Sequence, residues 1–154
     1  MSGRSVAHGS FTVGRRYAAA PARVFAAWAD PEIKGKWYGD PEKESVADVF
    51  EFRTGGREYR AGEIGGGQTF AIDIRYYDIV ENQRIVYAYE VQIDGARTSV
   101  SVAAVEFRPE GDGTRMIVTE HGAFLDGLDK PDERQGGAEF VMDRLAEVLE
   151  AQGN

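Results

Sequence analysis

The sequence predicts an α+β fold: a curved antiparallel sheet of about seven strands around a long C-terminal helix, with two short helices after the first strand. Three observations carry that expectation. Glycine pairs and Asp-Gly steps cut residues 46–121 into short runs of alternating apolar and polar residues. Two proline-marked helix starts, at Pro21 and Pro31, follow an earlier run of the same kind at residues 10–18. The chain closes on one amphipathic segment, which needs a surface to cover, and the sheet supplies it.

SFTVGRRYA, residues 10–18, reads as the first strand, with Phe11 and Val13 sharing a face between polar neighbours. Residues 1–9 read as a polar N-terminal tail, and 1–154 as a single domain. Pro21 stands where a helix can begin, because the first turn does not need its missing N–H. Val24, Phe25 and Trp28 then fall on one helical face. Asp30 and Pro31 form a second start signal, a cap and a first helical residue, ahead of Ile33 and Trp37. After a polar loop, GDPEKES, strands are expected near 46–53, 57–63, 69–80, 84–92, 97–108 and 114–121. Gly55-Gly56, Gly65–Gly67, Asp94-Gly95 and Asp112-Gly113 punctuate them. Connections this short imply antiparallel neighbours, since a parallel crossover needs about a dozen residues.

Pro131 and Asp132 start the last helix, with Gln135 spaced for a capping box. Val141, Leu145, Val148 and Leu149 make its apolar stripe with Met142 beside it, and Glu139, Asp143, Glu147 and Glu150 lie opposite. Gly136-Gly137 costs this helix roughly 1 kcal/mol per residue against alanine. That cost points to close approach, to a strand or to a ligand, and close helix–sheet packing is the simpler expectation.

The 154 residues suffice to bury one core. Hydrophobic residues at 42% and charged residues at 29% give a globular rather than a disordered composition. The absence of cysteine excludes a disulfide framework, a thiolate nucleophile and Cys-based metal sites. It fits a reducing compartment, and a cytoplasmic location is expected. MSGRSVAHGS lacks the apolar stretch of a secretory signal, and no apolar run approaches the roughly 20 residues of a membrane span. A formal charge of −8 with no Lys/Arg stripe argues against nucleic acid and reads as solubility. His8 and His121 are the only histidines, so neither a metal nor a cofactor is expected. There is no G-x-S-x-G elbow and no P-loop; GGGQT at 65–69 joins strand to strand and reads as a hairpin turn.

APARVFAAWADPE, FRTGG at 52–56, VEFRPEGDGTRMIVTEHGAFLDG at 105–127 and RQGGAEFVMDRLAEVL at 134–149 follow one another along the chain. That succession resembles the SRPBCC superfamily, the helix-grip fold of birch-pollen allergens, START lipid carriers and polyketide cyclases. It is most similar to the branch named after the C-terminal domain of the activator of the heat-shock-protein-90 ATPase. The match runs from about Phe11 to Leu149. The resemblance implies a cavity between the concave face of the sheet and the long helix. It leaves function open, because this fold carries binding proteins, cyclases, hydrolases and chaperone partners alike.

Candidate walls for such a cavity are Trp28 and Trp37 from the short helices and Phe52, Tyr59, Phe70, Tyr87 and Tyr89 from strands. Phe124 and Phe140 join them from the final loop and helix. For any one of these, core packing is the simpler role. Tyr87 and Tyr89 share a face. Glu120 and His121, adjacent at an expected strand end, must point to opposite sides. Glu120 shares its side with Met116 and Val118 and is expected inward, as a polar hook or a base with a pKa raised by burial. His121 is expected at the rim, and Arg53 is the candidate ion partner of Glu120.

The function expected first is a small-molecule binding protein taking an apolar or amphipathic ligand, with no nucleic-acid partner and no membrane span. Monomer and homodimer are both left open. The first alternative is a cyclase- or hydrolase-type enzyme using Glu120 as acid/base; the second is a heat-shock-protein-90 ATPase regulator-like partner protein. No residue is assigned as catalytic.

Overall fold

The computed structural model describes residues 3–38 and 47–153, so the expected GDPEKES loop lies outside the described residues. The elements run β1 (Val6–Tyr17), α1 (Pro21–Ala29), α2 (Pro31–Trp37), β2 (Val49–Phe50), β3 (Arg57–Gly65), β4 (Gln68–Val80), β5 (Arg84–Ile93), β6 (Ala96–Glu110), β7 (Gly113–Leu125) and α3 (Pro131–Gln152). They form one curved antiparallel sheet in the order β1-β7-β6-β5-β4-β3-β2, with the first strand closing beside the last. This is the α+β helix-grip arrangement.

Local chemistry explains the elements. Asp30 ends α1 and caps α2, its Oδ1 accepting from the backbone N–H of Glu32 at 2.9 Å and of Ile33 at 3.3 Å. Asp94 and Gly95 both take positive φ, 51° and 81°, as the two-residue turn between β5 and β6 requires. Trp28 and Trp37 bury edge to face at 4.9 Å, and Trp37 Nε1 donates to Ala27 O at 3.1 Å, locking α2 onto α1. Tyr17 donates to Met142 O at 2.9 Å and Arg23 to Leu149 O at 2.9 Å, fastening α3 across β1 and α1. At the helix start, a Cβ on Gly9 would sit 2.6 Å from Pro131 Cβ, so only glycine lets β1 pass there.

Four expectations need correction. The first strand begins at Val6, because residues 6–9 pair with β7; His8 lies opposite Ala123 and is not in a tail. The strand expected near 46–53 contracts to Val49–Phe50, because the chain turns back at Arg53–Gly56. Strand β7 runs on to Leu125, held by pairing to both β1 and β6, so Glu120 and His121 are mid-strand. The capping box at the start of α3 does not form: the cap is Lys130, with no side-chain hydrogen bond, and Asp132 lies inside the first turn.

Candidate functional site

Antiparallel register carries the concave face of the sheet toward the helices. One row runs Phe11, Glu120, Ala103, Tyr87, Tyr76 across five strands. Ala103, the smallest of these side chains, lies between Glu120 and Tyr87. In the next row Tyr89 pairs Ser101, which pairs Gly122. A Cβ on Gly122 would meet Ser101 Oγ at 2.6 Å and the Phe124 ring at 3.0 Å, so glycine is required at that crossing. Over this surface α3 leaves a cavity of about 320 Å³. Trp28, Trp37 and Tyr38 wall it from the α1–α2 side, Ile72, Tyr87, Tyr89, Val91 and Val118 from the sheet, and Ala138, Val141 and Met142 from α3. Glu120 is its buried carboxyl, and Asp129, Arg134 and Gly137 stand where α3 begins.

At that end three side chains form a relay. Arg134 donates to the Tyr89 hydroxyl at 2.8 Å, and the same hydroxyl donates to Glu120 Oε1 at 2.7 Å. Arg134 also donates to Asp129 Oδ2 at 2.6 Å and Ser99 Oγ at 2.9 Å, and its guanidinium lies over the Phe124 ring at 5.0 Å. Glu120 is 7% exposed. Burial raises its pKa, opposed by the Tyr89 hydrogen bond and the Arg134 charge. Burial first, and the Glu120 charge second, push the Tyr89 hydroxyl up as well, so it stays protonated.

A second polar cluster adjoins the cavity behind Tyr38. Lys34, Glu58 and Arg60 are 1%, 0% and 4% exposed. Lys34 Nζ donates to Glu58 Oε1 at 2.8 Å, Tyr76 donates to the same oxygen at 2.5 Å, and Arg60 Nε donates to Oε2 at 2.5 Å. The ammonium sits 4.5 Å from the Tyr38 ring centroid and 5.3 Å from that of Trp28. Burial alone would push the Glu58 carboxyl up, but the Lys34 and Arg60 charges outweigh it and hold it below the usual range. Burial draws Lys34 down, against the pull of Glu58. Among the described residues, no group of three or more His, Cys, Asp or Glu could hold a metal ion.

Of the residues singled out in the sequence, Trp28, Trp37, Tyr87, Tyr89 and Glu120 line this cavity. The others do not. Phe52 packs into the core against Phe25 and Tyr76. Arg53 is exposed in the turn after β2, with Glu51 3.8 Å away, and does not reach Glu120. Tyr59 lies on the convex side under the Arg57 guanidinium, and Phe70 lies over Gly62; both line a separate depression. His121 is exposed on the convex face, because β7 alternates through it without ending. Phe124 is buried beneath Arg134. Phe140 is 49% exposed, on the side of α3 away from the sheet. Gly136 and Gly137 have nothing within 4 Å of an added Cβ, which overturns the expected close helix–sheet packing.

Arg134, Lys34, Glu58 and Arg60 escaped the sequence reading. Signals existed. Arg134 falls on the same helical stripe as Ala138, Val141, Met142 and Leu145. Lys34 sits one turn before Trp37 on α2, and Glu58 and Arg60 alternate with Tyr59.

The profile of the family described as "Activator of Hsp90 ATPase homolog 1-like protein" matches residues 18–150. A solved structure from Rhizobium leguminosarum shares 38% identity over 96% of this chain and 98% of its own, with a TM-score of 0.91. One from Rhizobium loti shares 40% identity over 94% and 99%, with a TM-score of 0.86. One from Chromobacterium violaceum shares 22% identity over 92% and 97%, with a TM-score of 0.78, a likeness of fold alone. No curated protein matches.

Proposed function

Starting from a chain that belongs to the family of Activator of Hsp90 ATPase homolog 1-like proteins, we propose that this protein binds a small apolar or amphipathic molecule between its sheet and α3. The observation that carries the reading is the cavity of about 320 Å³, within the range of small-ligand sites, with aromatic and aliphatic walls and one buried carboxyl. Tyrosine and tryptophan suit an amphipathic guest, since each offers an apolar body with a polar tip. The proposed ligand contacts are Trp28, Trp37, Tyr38, Tyr87, Tyr89 and Glu120.

The test uses the tryptophans already in the wall. Titrating decanol into the protein is expected to shift the emission of Trp28 and Trp37 with saturation. Ala138→Phe, which fills the cavity from α3, is expected to abolish that response while keeping its circular dichroism. Saturable binding that Ala138→Phe leaves unchanged would place the ligand elsewhere and overturn the reading.

One observation favours a second reading, acid/base catalysis. Glu120 is a buried carboxyl with a raised pKa, joined to a tyrosine hydroxyl, and it faces a cavity. A bound molecule recovered chemically unchanged supports carriage. A product formed by the wild type and not by Glu120→Gln supports catalysis.

A further inference from the structure

The two oxygens of Glu120 are not equivalent. Oε1 receives the Tyr89 hydroxyl at 2.7 Å. Oε2 accepts no hydrogen bond among the described residues, and Glu120 is among the side chains facing the cavity. Oε2 is nevertheless not sealed inside the protein, so it stays open to the cavity, where a donor on a guest can reach a carboxyl that is otherwise largely withdrawn from water.

The charges around it point the same way. Arg134 is a cation lining this end of the cavity, but Asp129 holds it at 2.6 Å, and it also donates to Tyr89 and Ser99. Its charge is already matched. Lys34 and Arg60 are turned to Glu58 and are at most 4% exposed. Glu120 feels the Arg134 charge only across the Tyr89 hydroxyl, and among the described residues it forms no ion pair of its own at the cavity wall. The Tyr89 hydroxyl has no proton left to offer a guest, since it donates to Glu120 while accepting from Arg134.

Resting on the cavity reading above, we infer that the site selects ligands carrying a hydrogen-bond donor, a hydroxyl or an amine, on a compact apolar body, and excludes those headed by a carboxylate. The donor meets Glu120 Oε2. A carboxylate there would face a like charge at short range in a water-poor site, which is strongly unfavourable. The body is bounded by the volume: at about 30 Å³ per water-sized group, the cavity holds roughly ten methylene-sized groups. The two kinds of donor share this chemistry, and their relative affinity separates them. An amine preferred over an alcohol identifies an ionised Glu120 pairing with a cation; equal affinities identify a hydrogen bond alone.

The experiment is calorimetric titration of the full chain with decanol, decylamine and decanoate, three heads on one body. It is repeated on Glu120→Gln and on the cavity-filling Ala138→Phe. Expected is binding of decanol, decylamine or both, with decanoate weaker by roughly a hundredfold, as like-charge juxtaposition predicts. Glu120→Gln keeps the carbonyl that Tyr89 needs, and its amide can donate to a carboxylate. It is expected to recover decanoate binding and weaken decylamine. Equal binding of all three heads, unchanged by Glu120→Gln but lost in Ala138→Phe, would overturn the donor selection and leave the cavity reading standing. No binding of any head, or binding that Ala138→Phe leaves intact, would overturn both.

Discussion

Two buried carboxyls in this molecule titrate in opposite directions, and each sign has a structural cause. Burial raises Glu120, so the stability it contributes is present below its unfolded pKa and lost as the pH rises through the folded one. Glu58 is held low by Lys34 and Arg60 despite burial, so its contribution is present above the unfolded pKa and lost as the pH falls through the folded one. Urea melts across pH separate them. Glu120→Gln is expected to match the wild type in acid and to gain on it steadily as the pH climbs toward neutrality. A gap independent of pH would mean that Glu120 is not strained by ionisation. Lys34→Met leaves Glu58 with one cation in place of two inside the core. Breaking such a pair is expected to cost about 3 kcal/mol in the same melts. What the sequence disclosed at this scale follows from strand alternation: the inward turn of Glu120 and the shared face of Tyr87 and Tyr89. It did not disclose Lys34, Glu58 or Arg60. Charged residues at those positions read as solvent-facing, and their burial depends on partners from α2, β3 and β4 meeting in space. The same assumption turned Tyr59 inward, whereas Glu58 and Arg60 take the buried face of β3 and Tyr59 goes outside.

At the scale of elements, caps and glycines give the sharpest expectations. Asp30 caps α2 with two backbone hydrogen bonds, so Asp30→Ala is expected to cost about 1 kcal/mol in thermal melts. Gly136 is exposed in the helix with open space around its Cβ, so Gly136→Ala is expected to raise stability by about 1 kcal/mol. These sites lie on different helices, and their effects are expected to add in the double variant. A loss of stability in Gly136→Ala would show that the glycine serves a backbone geometry other than the straight helix. Proline-marked starts, Asp-Gly turns and the apolar stripe of α3 were legible because each is local chemistry. The ends of β1 and β7 were not. Val6 to Gly9 and Gly122 to Leu125 carry little alternation of their own and become strand by pairing with each other.

Across the whole molecule, the order of elements set the topology, since short connections allow little but an antiparallel meander and α3 has one surface to cover. The cavity belongs to this scale. Its walls come from α1, α2, the sheet and α3 together, which is why the sequence could name five of its lining residues and not its boundary. A ligand that occupies it only in the folded state must stabilise the fold by mass action, by about 2.7 kcal/mol at a hundred times its dissociation constant. No helix among the described residues is long and apolar enough to cross a membrane.

Nuclear magnetic resonance mapping tests the central claim most directly. In the labelled protein titrated with decanol, shifts are expected at Trp28, Tyr87, Val118, Glu120, Ala138 and Val141, converging from four elements on one volume. Shifts confined to the convex face, around Val100, Val102 and His121, or no saturable shifts at all, would contradict a binding cavity beneath α3.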